Sequence, residues 1–140
     1  MSALIRFDLH PLADADWRRD CREQLNQHGA LVLRQFLQPA ALQAIIAEGD
    51  AQRHLAYHTL SKHNVYLLKA DEAYSADHPR NRDVISTKGC ITDDVIGADS
   101  PLRQLYNDEL FKNFLCDVLG ESALYPYADP LSSINLHYAP

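Results

Sequence analysis

Glycine and proline punctuation limits what this chain can fold into, because it cuts 140 residues into short pieces that are mostly bracketed by their own start and stop residues. Asp14 or Asp16 can accept hydrogen bonds from the unpaired N–H groups of a first helical turn. Behind them Trp17, Cys21 and Leu25 fall at i, i+4 and i+8, one apolar stripe. Gly29 then supplies the left-handed conformation that often ends a helix. Pro39 opens a second helix at the position where its missing N–H costs nothing, with Leu42, Ile45 and Ile46 to bury. Ser100-Pro101 starts a third, carrying Leu102, Leu105 and Tyr106. Asn107 or Asp108 caps a fourth with Leu110, Phe111, Phe114, Leu115, Val118 and Leu119, and Gly120 stops it.

Between these helices lie short β-prone runs. They are Ala30 to Leu33, continued by Phe36-Leu37; Asn64 to Leu68; Asp83 to Lys88, ending at Gly89; Ala123 to Tyr125; and Ser133 to Tyr138. The last two are joined by a loop with Pro126 and Pro130. Asp71 to Arg82 reads as a long loop, of the kind that often serves as a lid or binding segment. The order of elements predicts an α+β fold over residues 1–140 as one domain, with helices on one side of a mainly antiparallel sheet.

Composition narrows the functional classes. Hydrophobic residues make up 46% and charged residues 23%, enough apolar material for a core. The net charge is −6 and no Lys/Arg run occurs, which argues against a nucleic-acid or anionic-membrane surface. Cys21, Cys90 and Cys116 form no CxxC pair, so neither a zinc ribbon nor a disulfide framework is expected. They read as reduced thiols of a cytoplasmic protein. Met1 to Leu12 has no long apolar run of the secretory kind, and no stretch is long enough to span a bilayer.

Isolated signals for other chemistry are weak. His54 and His58 are spaced i, i+4 and would share one helix face, with His63 near in sequence. Leu55 stands where a zinc protease needs a glutamate, so a polar helix face is the better reading. Ser132-Ser133 lacks a Gly-X-Ser-X-Gly elbow, and Cys90 has no base identifiable in sequence.

Three segments, in order, resemble a known family. Gln27-His28-Gly29-Ala30-Leu31-Val32-Leu33-Arg34-Gln35-Phe36-Leu37, followed by a helix, resembles the opening of phytanoyl-CoA-hydroxylase-like dioxygenases. Leu110 to Gly120 and then Ala123 to Asp129 resembles the helix and strand before their jelly-roll core. Ser133-Ile134-Asn135-Leu136-His137-Tyr138-Ala139-Pro140 resembles the strand that leads into their His-X-Asp turn. Tyr125 to Asn135 is most similar to bacterial 2-oxoglutarate oxygenases related to free-amino-acid hydroxylases and halogenases.

The resemblance implies the N-terminal portion of an Fe(II)/2-oxoglutarate-dependent dioxygenase. In that reading the helices and first strands of a double-stranded β-helix (jelly-roll, cupin-like) core are present, and the sequence stops before the metal-binding strands. Complete members hold Fe(II) with two histidines and a carboxylate, leaving positions for 2-oxoglutarate and dioxygen. They oxidise a small molecule, an amino acid in the relatives this segment resembles, by hydroxylation or halogenation. The resemblance places Tyr138 and Asn135 near the cosubstrate and Asp129 near a substrate ammonium; Lys88 could line the same pocket. It assigns no iron ligand and no catalytic residue within 1–140, so this stretch alone is expected to be inactive and to bind neither group tightly. The competing expectation is a non-catalytic interaction module whose unpaired last strand is an open edge, able to pair with another chain or to self-associate.

Overall fold

A computed structural model describes residues 4–138. Among them the chain forms four α-helices and a three-stranded antiparallel sheet, a mixed α+β arrangement. Helix α1 spans Ala15–His28 and α2 spans Pro39–Gln52. Strands β1, Tyr57–His63, and β2, Val84–Ile91, form a long hairpin. Helices α3, Pro101–Tyr106, and α4, Glu109–Leu119, precede β3, Leu136–Tyr138. Ala139 and Pro140, the end of the third family-like segment, lie outside the described residues.

The helix punctuation works as the sequence implies, but the face of α2 does not: it buries Ala41 and Gly49 and leaves Leu42 and Ile46 exposed. Of the two alternatives at each start, Asp14 accepts from Trp17 N–H at 2.8 Å and Asp108 from Phe111 N–H at 2.8 Å. Ser100 caps α3, accepting from Leu102 N–H at 3.1 Å. Gly29 and Gly120 end α1 and α4 in the left-handed region, at φ 69° and 75°. Helices α1 and α4 pack on each other around Ile5, Leu12, Cys21, Phe114 and Val118. Trp17 and Phe114 meet with ring centroids 5.2 Å apart, and Phe36 and Phe111 at 5.1 Å. Arg22 Nε donates to the Asp117 carbonyl at 2.6 Å, and Arg18 pairs with the Asp117 carboxylate. Two cations thus sit at the negative end of α4, the end they favour.

A second, smaller core joins the sheet to α2 and α3. It consists of Ile91, Ile96 and Ile134, flanked by Leu102, Tyr106, Leu136 and Tyr138. The order is β1-β2-β3, so β1 and β3 are both edges of an open sheet. Cys90 pairs with Tyr57 on one side and His137 on the other.

Several strand expectations fail for local reasons. Ala30 to Leu33 makes no ladder, and the N-terminal segment bridges instead at Ile5–Leu37, beyond it. Asn64 to Leu68 is a turn: Asn64 Oδ1 accepts from Tyr66 N–H and Leu68 N–H, and Leu67 takes φ 54°. The side chain supplies the bonds a ladder would have made. Ala123 to Tyr125 has no strand neighbour, and Tyr125 is exposed. The strand from Asp83 does not stop at Gly89 but continues to Ile91, and the final strand pairs only over Leu136–Tyr138.

The His54/His58 helix face is also overturned. Helix α2 ends before His54, which lies in a 3-10 turn with its Nδ1–H donating to the Ala51 carbonyl at 3.0 Å, while His58 is in β1. The loop at 71–82 is internally bonded. Buried Asn81 accepts from Asp71 N–H and donates to the Asp71 and Tyr74 carbonyls, and Arg80 pairs with Asp71 at 3.0 Å.

Candidate functional site

Strand alternation gives the sheet two unlike faces. On one, Ile91, Leu136 and Tyr138 meet α2 and the second core. On the other, Tyr57, Thr59, Lys88, Cys90 and His137 carry the polar and reactive groups, by the period of two from the observed register. Helix α2 lies against the first face at its Leu136 and Tyr138 end, so the second face there is the candidate wall of a site.

Asn135 stands at the entry to β3. Its Oδ1 accepts from the Cys90 thiol at 3.4 Å and its Nδ2 donates to the Ser132 carbonyl at 3.1 Å. These bonds place it beside Cys90 and leave it exposed at the end of the helix-free face. Lys88 lies two residues along β2 from Cys90, opposite Thr59.

Tyr138 belongs to the opposite face. Its hydroxyl donates to the Gly49 carbonyl of α2, and its ring lies under the Arg53 guanidinium, 5.2 Å from the centroid. The missing side chain of Gly49 makes this approach possible, since a Cβ there would stand 3.2 Å from the Tyr138 oxygen. The two residues that the resemblance assigns to one cosubstrate are therefore separated by the sheet.

Asp129 closes a turn on itself. Its carboxylate accepts from Leu131 N–H at 2.9 Å and Ser132 Oγ–H at 2.7 Å. The Leu131 amide, then the Ser132 hydroxyl, hold its pKa below the ordinary carboxylate value. Asp129 is charged at neutral pH, and its own turn uses one acceptor site on each oxygen.

A residue that sequence reading did not single out organises the approach to β3. Asp93 accepts from Arg103 at 2.8 Å and from Ile134 N–H at 3.1 Å. Arg103 also donates to the Asp93 and Ile96 carbonyls, each at 3.0 Å. Side-chain exposure of 22% for Arg103 and 13% for Asp93 makes this the least exposed ion pair among the described residues. An Asp-Asp pair before a Pro-capped helix gave no signal that one member would reach forty residues ahead; the contact exists only after α3 folds back.

A separate groove of about 470 Å³ runs along α4, lined by Tyr106, Phe111, Lys112, Leu115, Tyr125 and Pro126. The Tyr106 hydroxyl accepts from Tyr127 N–H at 3.1 Å and holds the 124–127 segment beside it. Lys112 pairs with Glu109 at 2.5 Å, and both line the groove beside its apolar and aromatic side chains.

Among the described residues no group of three or more His, Cys, Asp or Glu side chains is placed to hold a metal ion, and no helix is long and apolar enough to cross a membrane. Comparison with family models, with curated proteins and with solved structures returns no match.

Proposed function

We propose that this chain is the N-terminal portion of a non-haem Fe(II)/2-oxoglutarate-dependent dioxygenase-like oxidoreductase, acting on a small molecule. The observation that carries the reading is the unlike cover at the β3 end of the sheet: there Ile91, Leu136 and Tyr138 pack inward on one face, while Lys88, Asn135 and His137 on the other are exposed. A jelly-roll enzyme is built this way, with helices outside and the helix-free face turned into the catalytic cavity.

In this reading Asn135 contacts the cosubstrate and Lys88 supplies positive charge to the same wall. Tyr138 anchors the sheet to α2; a direct cosubstrate role would require its hydroxyl to leave the Gly49 carbonyl. Asp129 orders the turn into β3, and its exposed carboxylate keeps a free lone pair on each oxygen for a substrate ammonium. Iron and 2-oxoglutarate, when bound, would activate dioxygen, the oxidant, for C–H oxidation, with 2-oxoglutarate going to succinate and carbon dioxide; the described residues offer no ligand set for the iron. The direct test is to express the whole reading frame containing this chain and follow succinate formation from 2-oxoglutarate. Turnover that requires Fe(II) is expected. An extended product with no iron-dependent turnover, or a frame that encodes no metal-binding strand, overturns the reading.

A second reading, a non-catalytic interaction module, is favoured by one observation. Strand β1 presents a seven-residue edge with no neighbour among the described residues, and apolar Leu60 and Ile85 are 75% and 67% exposed on the hairpin it forms.

A further inference from the structure

The open β1 edge differs in charge from the rest of the molecule. The chain carries net charge −6, yet residues 51–70 contain no Asp or Glu. That window holds Arg53, Lys62 and Lys69 with His54, His58 and His63, and it includes all of β1. The β2 strand behind it is also free of acids and adds Lys88. One carboxylate approaches from the far side, Asp83, which pairs with Lys62 at 3.0 Å. Both partners are well exposed, so this pair holds Lys62 weakly.

On one face of β1, His58, Leu60 and Lys62 alternate as basic, aliphatic, basic. Leu60 and Ile85 lie on this face beyond the part covered by α2, and both are exposed. A strand added to the edge would set its own side chains opposite these three. Pairing of β1 with a second copy of itself, antiparallel and centred on Leu60, would place His58 against Lys62 of the other copy. That register brings basic groups together and is disfavoured.

We propose that the β1 edge accepts an extended acidic segment by strand addition, its side chains alternating carboxylate, aliphatic, carboxylate on the face of His58, Leu60 and Lys62. Main-chain hydrogen bonds supply the attachment, and charge at the flanking positions supplies the selection. The proposal rests on the interaction-module reading and not on the oxygenase reading.

The test uses the purified chain and a dye-labelled peptide of about eight residues with that alternation, read by fluorescence anisotropy. Binding is expected, and it should weaken by about tenfold when the two carboxylates become amides, by a similar factor in Lys62→Glu, and further with added salt. N-methylation of alternate peptide amides, which removes the edge hydrogen bonds and leaves the charges, should abolish it. No binding, equal binding of the amide peptide, or equal binding of the N-methylated peptide each overturns the proposal. So does sedimentation showing that the chain alone already associates through β1, judged by loss of association in Leu60→Lys. Circular dichroism matching the unsubstituted chain keeps a misfolded variant from counting for either side. None of these outcomes bears on iron-dependent turnover, which tests the oxygenase reading separately.

Discussion

At the residue scale, Gly49 sets two effects against each other. Inside α2 a glycine costs about 1 kcal/mol relative to alanine. A Cβ there would press on the Tyr138 oxygen at 3.2 Å, and that oxygen is fixed by its bond to the Gly49 carbonyl. Gly49→Ala should therefore gain little in the unsubstituted chain. In the Tyr138→Phe background the clash is gone, and the same change should stabilise by about 1 kcal/mol. Urea unfolding of the four chains checks this, and equal effects in both backgrounds would show that the phenol is not held.

Cys21 gives a second residue-scale test. It is buried in the helical core, and burial, then the nearby Asp20, push its thiol pKa up. The folded thiol stays protonated where the unfolded one ionises. The stability this contributes is complete below the ordinary thiol pKa and is lost as pH rises through the raised folded value. An Ellman titration of native protein should label Cys90 and Cys116 first and Cys21 only with unfolding. The alkaline loss of stability should shrink in Cys21→Ala.

At the element scale, caps and one ion pair decide how the pieces end and meet. Asp14→Ala removes an N-cap bond from α1 and should cost about 1 kcal/mol by thermal unfolding. Arg103→Met leaves the Asp93 carboxylate and two carbonyls short of a donor, and should cost about 1–3 kcal/mol while loosening the entry to β3. Hydrogen exchange at Ile134, which donates to Asp93, reports that loosening directly.

These elements also show what periodicity could and could not deliver. The bounds of α1 and α4 were legible because capping chemistry is local: a carboxylate three residues before an amide, and a glycine where φ turns positive. Strands were less legible because an extended run becomes a strand only if a neighbour arrives. Leu31 and Leu33 face α4 without a ladder, whereas β1 lies in Tyr57–His63, whose basic and aliphatic alternation was overshadowed by two histidines at helical spacing. Asn64 then ended the ladder with its own side chain, a competition that an apolar Val-Tyr-Leu-Leu run concealed.

At the scale of the whole molecule, stability is unevenly distributed. The α1–α4 core holds the large buried Phe114, while the far half of the hairpin exposes Leu60, Val84 and Ile85. Phe114→Ala should cost about 3–5 kcal/mol. Amide exchange should be slowest in α1 and α4 and faster toward the 64–68 turn, and uniform protection would contradict this division.

The sequence by itself determined the helix starts, the glycine stops of α1 and α4, and the α+β class. Each follows from bonds or side-chain directions set within a few residues. Only the tertiary structure decided which face the helices cover, that the Tyr138 hydroxyl ends on Gly49, that Asp93 reaches Arg103 and Ile134, and that an acid-free segment becomes an open edge. Those outcomes depend on which surfaces meet after the chain turns back, and contacts between residues far apart in sequence leave no periodic signal along it.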